Sequence, residues 1–89
     1  MVAAVTMMDV SRQRRMSLDL NQDRRITPRD TVSRALEHYV REMIDPAEFH
    51  HDSNWWAYSR GVKLDTKSRL EDLDPKDDTW LVMPETTAG

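Results

Sequence analysis

The strongest constraint on this chain is a single amphipathic segment flanked by runs too short to be anything but strands and turns. From Val32, the apolar positions Ala35, Leu36, Tyr39, Val40 and Met43 recur at steps of three and four residues, which puts them in one stripe along a helix. Thr27-Pro28-Arg29-Asp30-Thr31 opens that helix. Proline suits a first turn, and Asp and Thr side chains accept from backbone N–H groups that lack a partner there. Pro46 is expected to end it. A helix with one apolar stripe must lay it against a second layer, and the short runs on either side supply one.

Arg15 to Leu20 alternates, with Met16, Leu18 and Leu20 on one side and Ser17 and Asp19 on the other, the period of a half-buried strand. Val5 to Val10 is a second short run. Two pairings are open. Ser11 to Arg14 joins these runs as a hairpin, although it lacks the Gly or Asn that tight turns favour. Asn21 to Asp23 has better turn chemistry and would pair residues 14–20 with a strand at Arg24 to Thr27. Residues 45–54 form an irregular, polar connection apart from Phe49. Trp55 to Tyr58 reads as an aromatic strand, broken by Gly61 before a brief run at Val62 to Leu64. Leu70 and Leu73 suit one helical turn, and Asp77-Asp78 a tight turn. Thr79 to Met83 is a last strand, with Trp80 and Val82 on one face and Leu81 and Met83 on the other, closed by Pro84. The expected fold is an α+β roll, a mixed sheet of four to five strands on one main helix. It forms one domain over residues 1–84, followed by a mobile tail over residues 85–89.

Composition removes several classes of function. With 89 residues there is room for one core, and with no cysteine there is neither a disulfide framework nor a thiolate metal site, so a reducing cytoplasm is the expected location. Runs such as Trp80 to Met83 are too short to span a bilayer, and Met1 to Val10 is not followed by a small-residue cleavage pattern. A soluble, unexported protein that engages no membrane is expected. The net charge of -3 lacks the basic excess of a nucleic-acid binder. Charge is uneven: residues 1–45 hold eight Arg/Lys against seven Asp/Glu, and residues 46–89 hold five against nine. The acidic second half either steers a basic partner or simply keeps the surface solvated.

The order of these elements resembles the ubiquitin family, and the residues carrying the resemblance lie over about residues 26–89. Pro28-Arg29-Asp30-Thr31-Val32 stands where that family opens its helix. Tyr58, Gly61 and Leu64 match its middle strand, and Leu70-Glu71-Asp72-Leu73, Asp77-Asp78 and Trp80-Leu81-Val82 match the approach to its last strand. Thr87-Ala88-Gly89 falls where small ubiquitin-like modifiers carry a Thr-Gly-Gly terminus. Ala88 departs from that pattern, and residues 21–25 look inserted. The resemblance implies a β-grasp fold and attachment of Gly89 to target protein lysines by activating and conjugating enzymes, after a processing protease where a precursor extends further. A narrow enzyme channel needs small terminal side chains, which Gly89 and Ala88 provide. The family's recognition patch on the exposed sheet face maps here to Trp56, Tyr58, Leu81 and Met83, opposite the core-facing Ala57, Trp80 and Val82. Glu85 occupies the tail position where the family varies charge to select its activating enzyme. The alternative within the same fold is an adaptor subunit that is never conjugated, as in secretion machines or multicomponent oxygenases.

A different class enters through Asp19, Asn21 and Asp23 with Ile26, Thr27 and Asp30, which have the spacing of a calcium loop. Arg24 stands where the loop requires Gly, Asp30 where it requires a longer Glu, and the helix stripe is one residue out of phase. A polar connection from strand to helix is the expectation. His50, His51 and Asp52 lie on a loop without fixed geometry, and His38 is expected on the exposed side of the helix. With two glycines there is no phosphate-cradling loop. No nucleophile and base constellation is apparent, so neither catalysis nor a cofactor is expected.

Overall fold

Two hairpins, one before and one after the helix in sequence, are joined edge to edge by the last strand and covered on one face by the helix. The computed structural model describes residues 3–45 and 54–84. It contains β1 (Ala4–Met8), β2 (Arg15–Asp19), α1 (Val32–Met43), β3 (Trp55–Ser59), β4 (Val62–Lys63) and β5 (Thr79–Pro84), with a 3-10 turn at Leu70–Asp72. The five strands form one mixed sheet in the order β2-β1-β5-β3-β4. β1 and β5 run parallel at its centre, and the other neighbours are antiparallel. The fold is therefore α+β, with one helix packed on a five-stranded sheet.

The first hairpin forms in the register that uses residues 11–14 as its turn, pairing Ala4 with Asp19 through Met8 with Arg15. Its first strand stops at Met8 rather than Val10, because Asp9 starts the turn. The Asp9 carbonyl accepts the Arg12 N–H at 2.9 Å, and its carboxylate accepts the Ser11 hydroxyl at 2.7 Å. Arg12, at φ 61, adopts the left-handed conformation usually given to Gly or Asn. The Asn21 to Asp23 turn also forms, but it only ends β2: the Asp19 carbonyl accepts N–H groups from Gln22 and Asp23 at 3.1 and 2.8 Å. Residues 24–27 form no strand, and Ile26 is fully buried. The second hairpin turns on Arg60 and Gly61, at φ 53 and 78, the two left-handed residues of a type I′ turn. β4 is only two residues long. Leu64 leaves it to enter the core, while its N–H still donates to the Ala57 carbonyl at 2.8 Å.

The N-terminus of α1 is held by side chain and backbone together. Thr31 caps it, its hydroxyl accepting the Arg34 N–H at 3.2 Å. The N–H groups of Val32 and Ser33 donate to the carbonyls of Ser68 and Thr66 at 2.9 and 3.0 Å. In return, Leu70 and Glu71 donate to the carbonyls of Asp30 and Pro28. The segment over residues 66–71 is thereby strapped across the start of the helix. The helix ends at Met43 with Ile44 as its cap, and Pro46 lies outside the described residues. The expected stripe is buried at Val32, Ala35, Leu36, Tyr39 and Val40, with Met43 partly covered. His38 departs from expectation: it is half-buried, and its Nε2 is enclosed without a hydrogen-bond partner. No helix among the described residues is long and apolar enough to cross a membrane.

Tyr39 ties helix to hairpin, its hydroxyl donating to the Arg14 carbonyl at 2.6 Å. Burial, then the nearby Asp9 charge, push its pKa from 10.0 up to about 12. Tyr39→Phe should lose about 1 kcal/mol in denaturant unfolding, the net value of such a bond. The wild type should keep the Tyr39 contribution below pH 10 and lose it as pH rises toward about 12, because the unfolded phenol ionises first. Asp9 titrates with the opposite sign. Burial raises its pKa, but the Ser11 hydroxyl, the Arg14 N–H and the Arg14 charge lower it more, leaving it below 3.8. Its contribution is present above that value and disappears as pH falls through the lower folded pKa. Thermal melts between pH 5 and about pH 2 should therefore show a shallower acid loss in Asp9→Asn than in wild type.

Candidate interaction surface

Alternation along β5 divides its side chains between core and outer face. Trp80 and Val82 are buried, and Leu81 and Met83 are half-buried on the other side. β3 does the same, with Ala57 and Ser59 inside and Trp56 and Tyr58 outside. The antiparallel register pairs Trp56 with Met83 and Tyr58 with Leu81. The four residues expected as a patch thus form two adjacent cross-strand pairs on the face away from the helix.

The register extends this patch further than the sequence alone allows. Leu81 also pairs with Met8, Met8 with Arg15, and Tyr58 with Lys63. One row of side chains therefore crosses all five strands: Arg15, Met8, Leu81, Tyr58, Lys63. Its centre is apolar and each end is a cation. Met8, Arg15 and Lys63 were not among the expected site residues: the place of Met8 and Arg15 depends on the parallel pairing of two segments some seventy residues apart, and that of Lys63 on the register of the β3–β4 hairpin. Lys63 leans along the face, with its Nζ 3.5 Å from the centroid of the Trp56 ring. A shallow, open depression lies over Leu81, walled by Met8, Tyr58 and Met83 and rimmed by Arg12, Arg15 and Arg60.

Below the patch, Asp77 holds β5 against the second hairpin. Its carboxylate accepts the buried Ser59 hydroxyl at 2.7 Å and the Arg60 guanidinium at 3.2 Å, and its carbonyl accepts the Trp80 indole N–H at 2.8 Å. Trp80 is fully buried, so this bond satisfies the polar atom of the largest core side chain. The turn thus sets which way β5 alternates.

The remaining expected sites divide in two. Gly89, Ala88 and Glu85 of the tail, and His50, His51 and Asp52 of the connection, lie outside the described residues. In the calcium-like loop, the carboxylates are engaged within the chain. Asp19 accepts the Asn21 N–H at 3.0 Å, and Asp30 accepts the Thr27 N–H at 2.8 Å. Asp23 accepts the Arg25 N–H at 2.8 Å and pairs with its guanidinium at 3.3 Å, interactions that lower its pKa. Among the described residues, no three His, Cys, Asp or Glu side chains converge as a metal group.

The chain matches no protein-family model, and no curated protein matches it. Lys63→Gln should move the NMR signal of the Trp56 indole N–H and leave that of Trp80 in place. It should lower stability by no more than about 1 kcal/mol, as expected for an exposed cation–π pair.

Proposed function

We propose that this chain is a ubiquitin-like β-grasp protein without chemistry of its own, attached through Gly89 to lysines of target proteins and read through its sheet face. The observation that carries this reading is the sheet order β2-β1-β5-β3-β4, with a parallel central pair and one covering helix, which is how the ubiquitin family wraps a sheet around its helix. In support of it, Pro28 to Thr31 lead into α1, Tyr58 lies in β3 with Gly61 in the turn that follows, and Trp80, Leu81 and Val82 lie in β5. Attachment would run in three balanced steps on partner enzymes. The Gly89 carboxylate attacks the α-phosphate of ATP and releases pyrophosphate, an enzyme cysteine thiolate displaces AMP, and a target lysine amine displaces the thiol. Gly89 and Ala88 supply the small side chains that threading an active-site channel demands, and Glu85 helps select the activating enzyme. The working environment is the cytoplasm.

A second reading is favoured by the face itself. The patch is built wholly from β1 to β5 and needs nothing from the tail, so a non-conjugated adaptor would use it equally well. Incubation with ATP and a candidate activating enzyme separates the two. The modifier should form a Gly89 adenylate and then a thioester, detectable by intact mass, and deletion of Ala88 and Gly89 should abolish both. Absence of either species, with function intact after the deletion, leaves the adaptor reading.

A further inference from the structure

The chain is acidic overall, at -3, yet the charged side chains bordering its apolar face are cationic. Arg15 and Lys63 end the cross-strand row, and Arg12 and Arg60 border the depression over Leu81. Among the described residues, no acidic side chain lines that depression. Arg12, Arg15 and Lys63 form no ion pair with a described residue, and Arg60 is paired with Asp77 at 3.2 Å. The nearest acid in β2, Asp19, pairs with Ala4 at the far end of the hairpin and uses an oxygen on the Asn21 N–H. Of the two readings of the acidic second half, steering of a basic partner draws no support from this face.

We infer that the partner segment is an acidic peptide of a protein, with carboxylates on both sides of an apolar centre that packs on Leu81, Tyr58 and Met8. The inference rests on the reading of the sheet face as a partner surface and adds the chemistry of the partner. Arg15 and Lys63 are four strand spacings apart, about 19 Å at roughly 4.8 Å each. An extended segment crosses that distance in about six residues at 3.3 Å each. One acidic cluster would then reach Arg12 and Arg15, the other Lys63 and Arg60, while the apolar residues between them fill the depression. Peptide suits the face better than stacked nucleobases, because the Lys63 ammonium already occupies the Trp56 ring face at 3.5 Å.

The probe is a synthetic peptide with an Asp/Glu cluster on each side of a Leu-Phe-Leu centre, titrated into isotopically labelled full-length chain and followed by NMR. The comparison peptide has Lys at every acidic position. The acidic peptide should shift the amides of Met8, Tyr58, Lys63 and Leu81, and the basic one should not. Binding should weaken with added salt, and by at least about tenfold in Arg15→Glu/Lys63→Glu, the loss of one or two rim charge pairs. Arg34→Glu on the helix should leave it unchanged. The salt series needs no variant, so it stands even if the double variant folds poorly.

Equal binding of both peptides, no binding of the acidic one, or tighter binding of a single-stranded RNA oligonucleotide at the same amides would each overturn the inference. If charge reversal has no effect while Leu81→Ser abolishes binding, the acidic partner is refuted and the sheet-face reading survives. If neither change affects binding, both fall.

Discussion

Everything in this fold passes through β5. Among the described residues it is the strand that joins the two hairpins, parallel to β1 of the first and antiparallel to β3 of the second, so without it they share no edge. A parallel pairing cannot be made by a tight turn and requires a long crossover, which here includes the helix. The same strand seats Trp80 in the core, fully buried with its indole N–H on the Asp77 carbonyl. Each alternate residue of β5 is therefore committed to one face, and a one-residue slip would bury Leu81 and Met83 while expelling Trp80.

That commitment creates the outer face. Because Trp80 and Val82 must be inside, Leu81 and Met83 must be outside, where they meet Tyr58 and Trp56 across the antiparallel pairing. On the other side, the parallel pairing adds Met8 and brings Arg15 into the same row. Core packing and surface chemistry are two results of one register. The helix reinforces it from the opposite layer: its first N–H groups are held by the strap over residues 66–71, which also positions the chain leading into β5.

Surface charge shows how far a linear count can mislead. The second half of the sequence is acidic, but several of its carboxylates serve local geometry: Asp65 and Asp74 each accept a backbone N–H two residues on, and Asp77 pins Ser59 and Arg60. The cations at the sheet face come from both halves, Arg12 and Arg15 from one and Arg60 and Lys63 from the other. Net charge therefore described the molecule in solution and said little about the charge distribution over the sheet face.

The resemblance supplied the inward and outward sets at Trp80 and Leu81, whereas period and local chemistry in the sequence were enough for the helix, its Thr31 cap and the alternation of β2 and β5. These features depend on residues within a few positions of one another. The choice between two N-terminal registers was not legible, because the deciding elements were the side-chain bonds of Asp9 and a left-handed Arg12, neither of which has a compositional signature. Nor were the parallel β1–β5 pair, the strap on the helix or the cationic ends of the row. The parallel pair, the strap and the meeting of Arg15 with Tyr58 and Lys63 in one row join residues far apart in sequence, and only the closed tertiary structure, with one core shared by β1, β2, β3, β5 and the helix, brings them together.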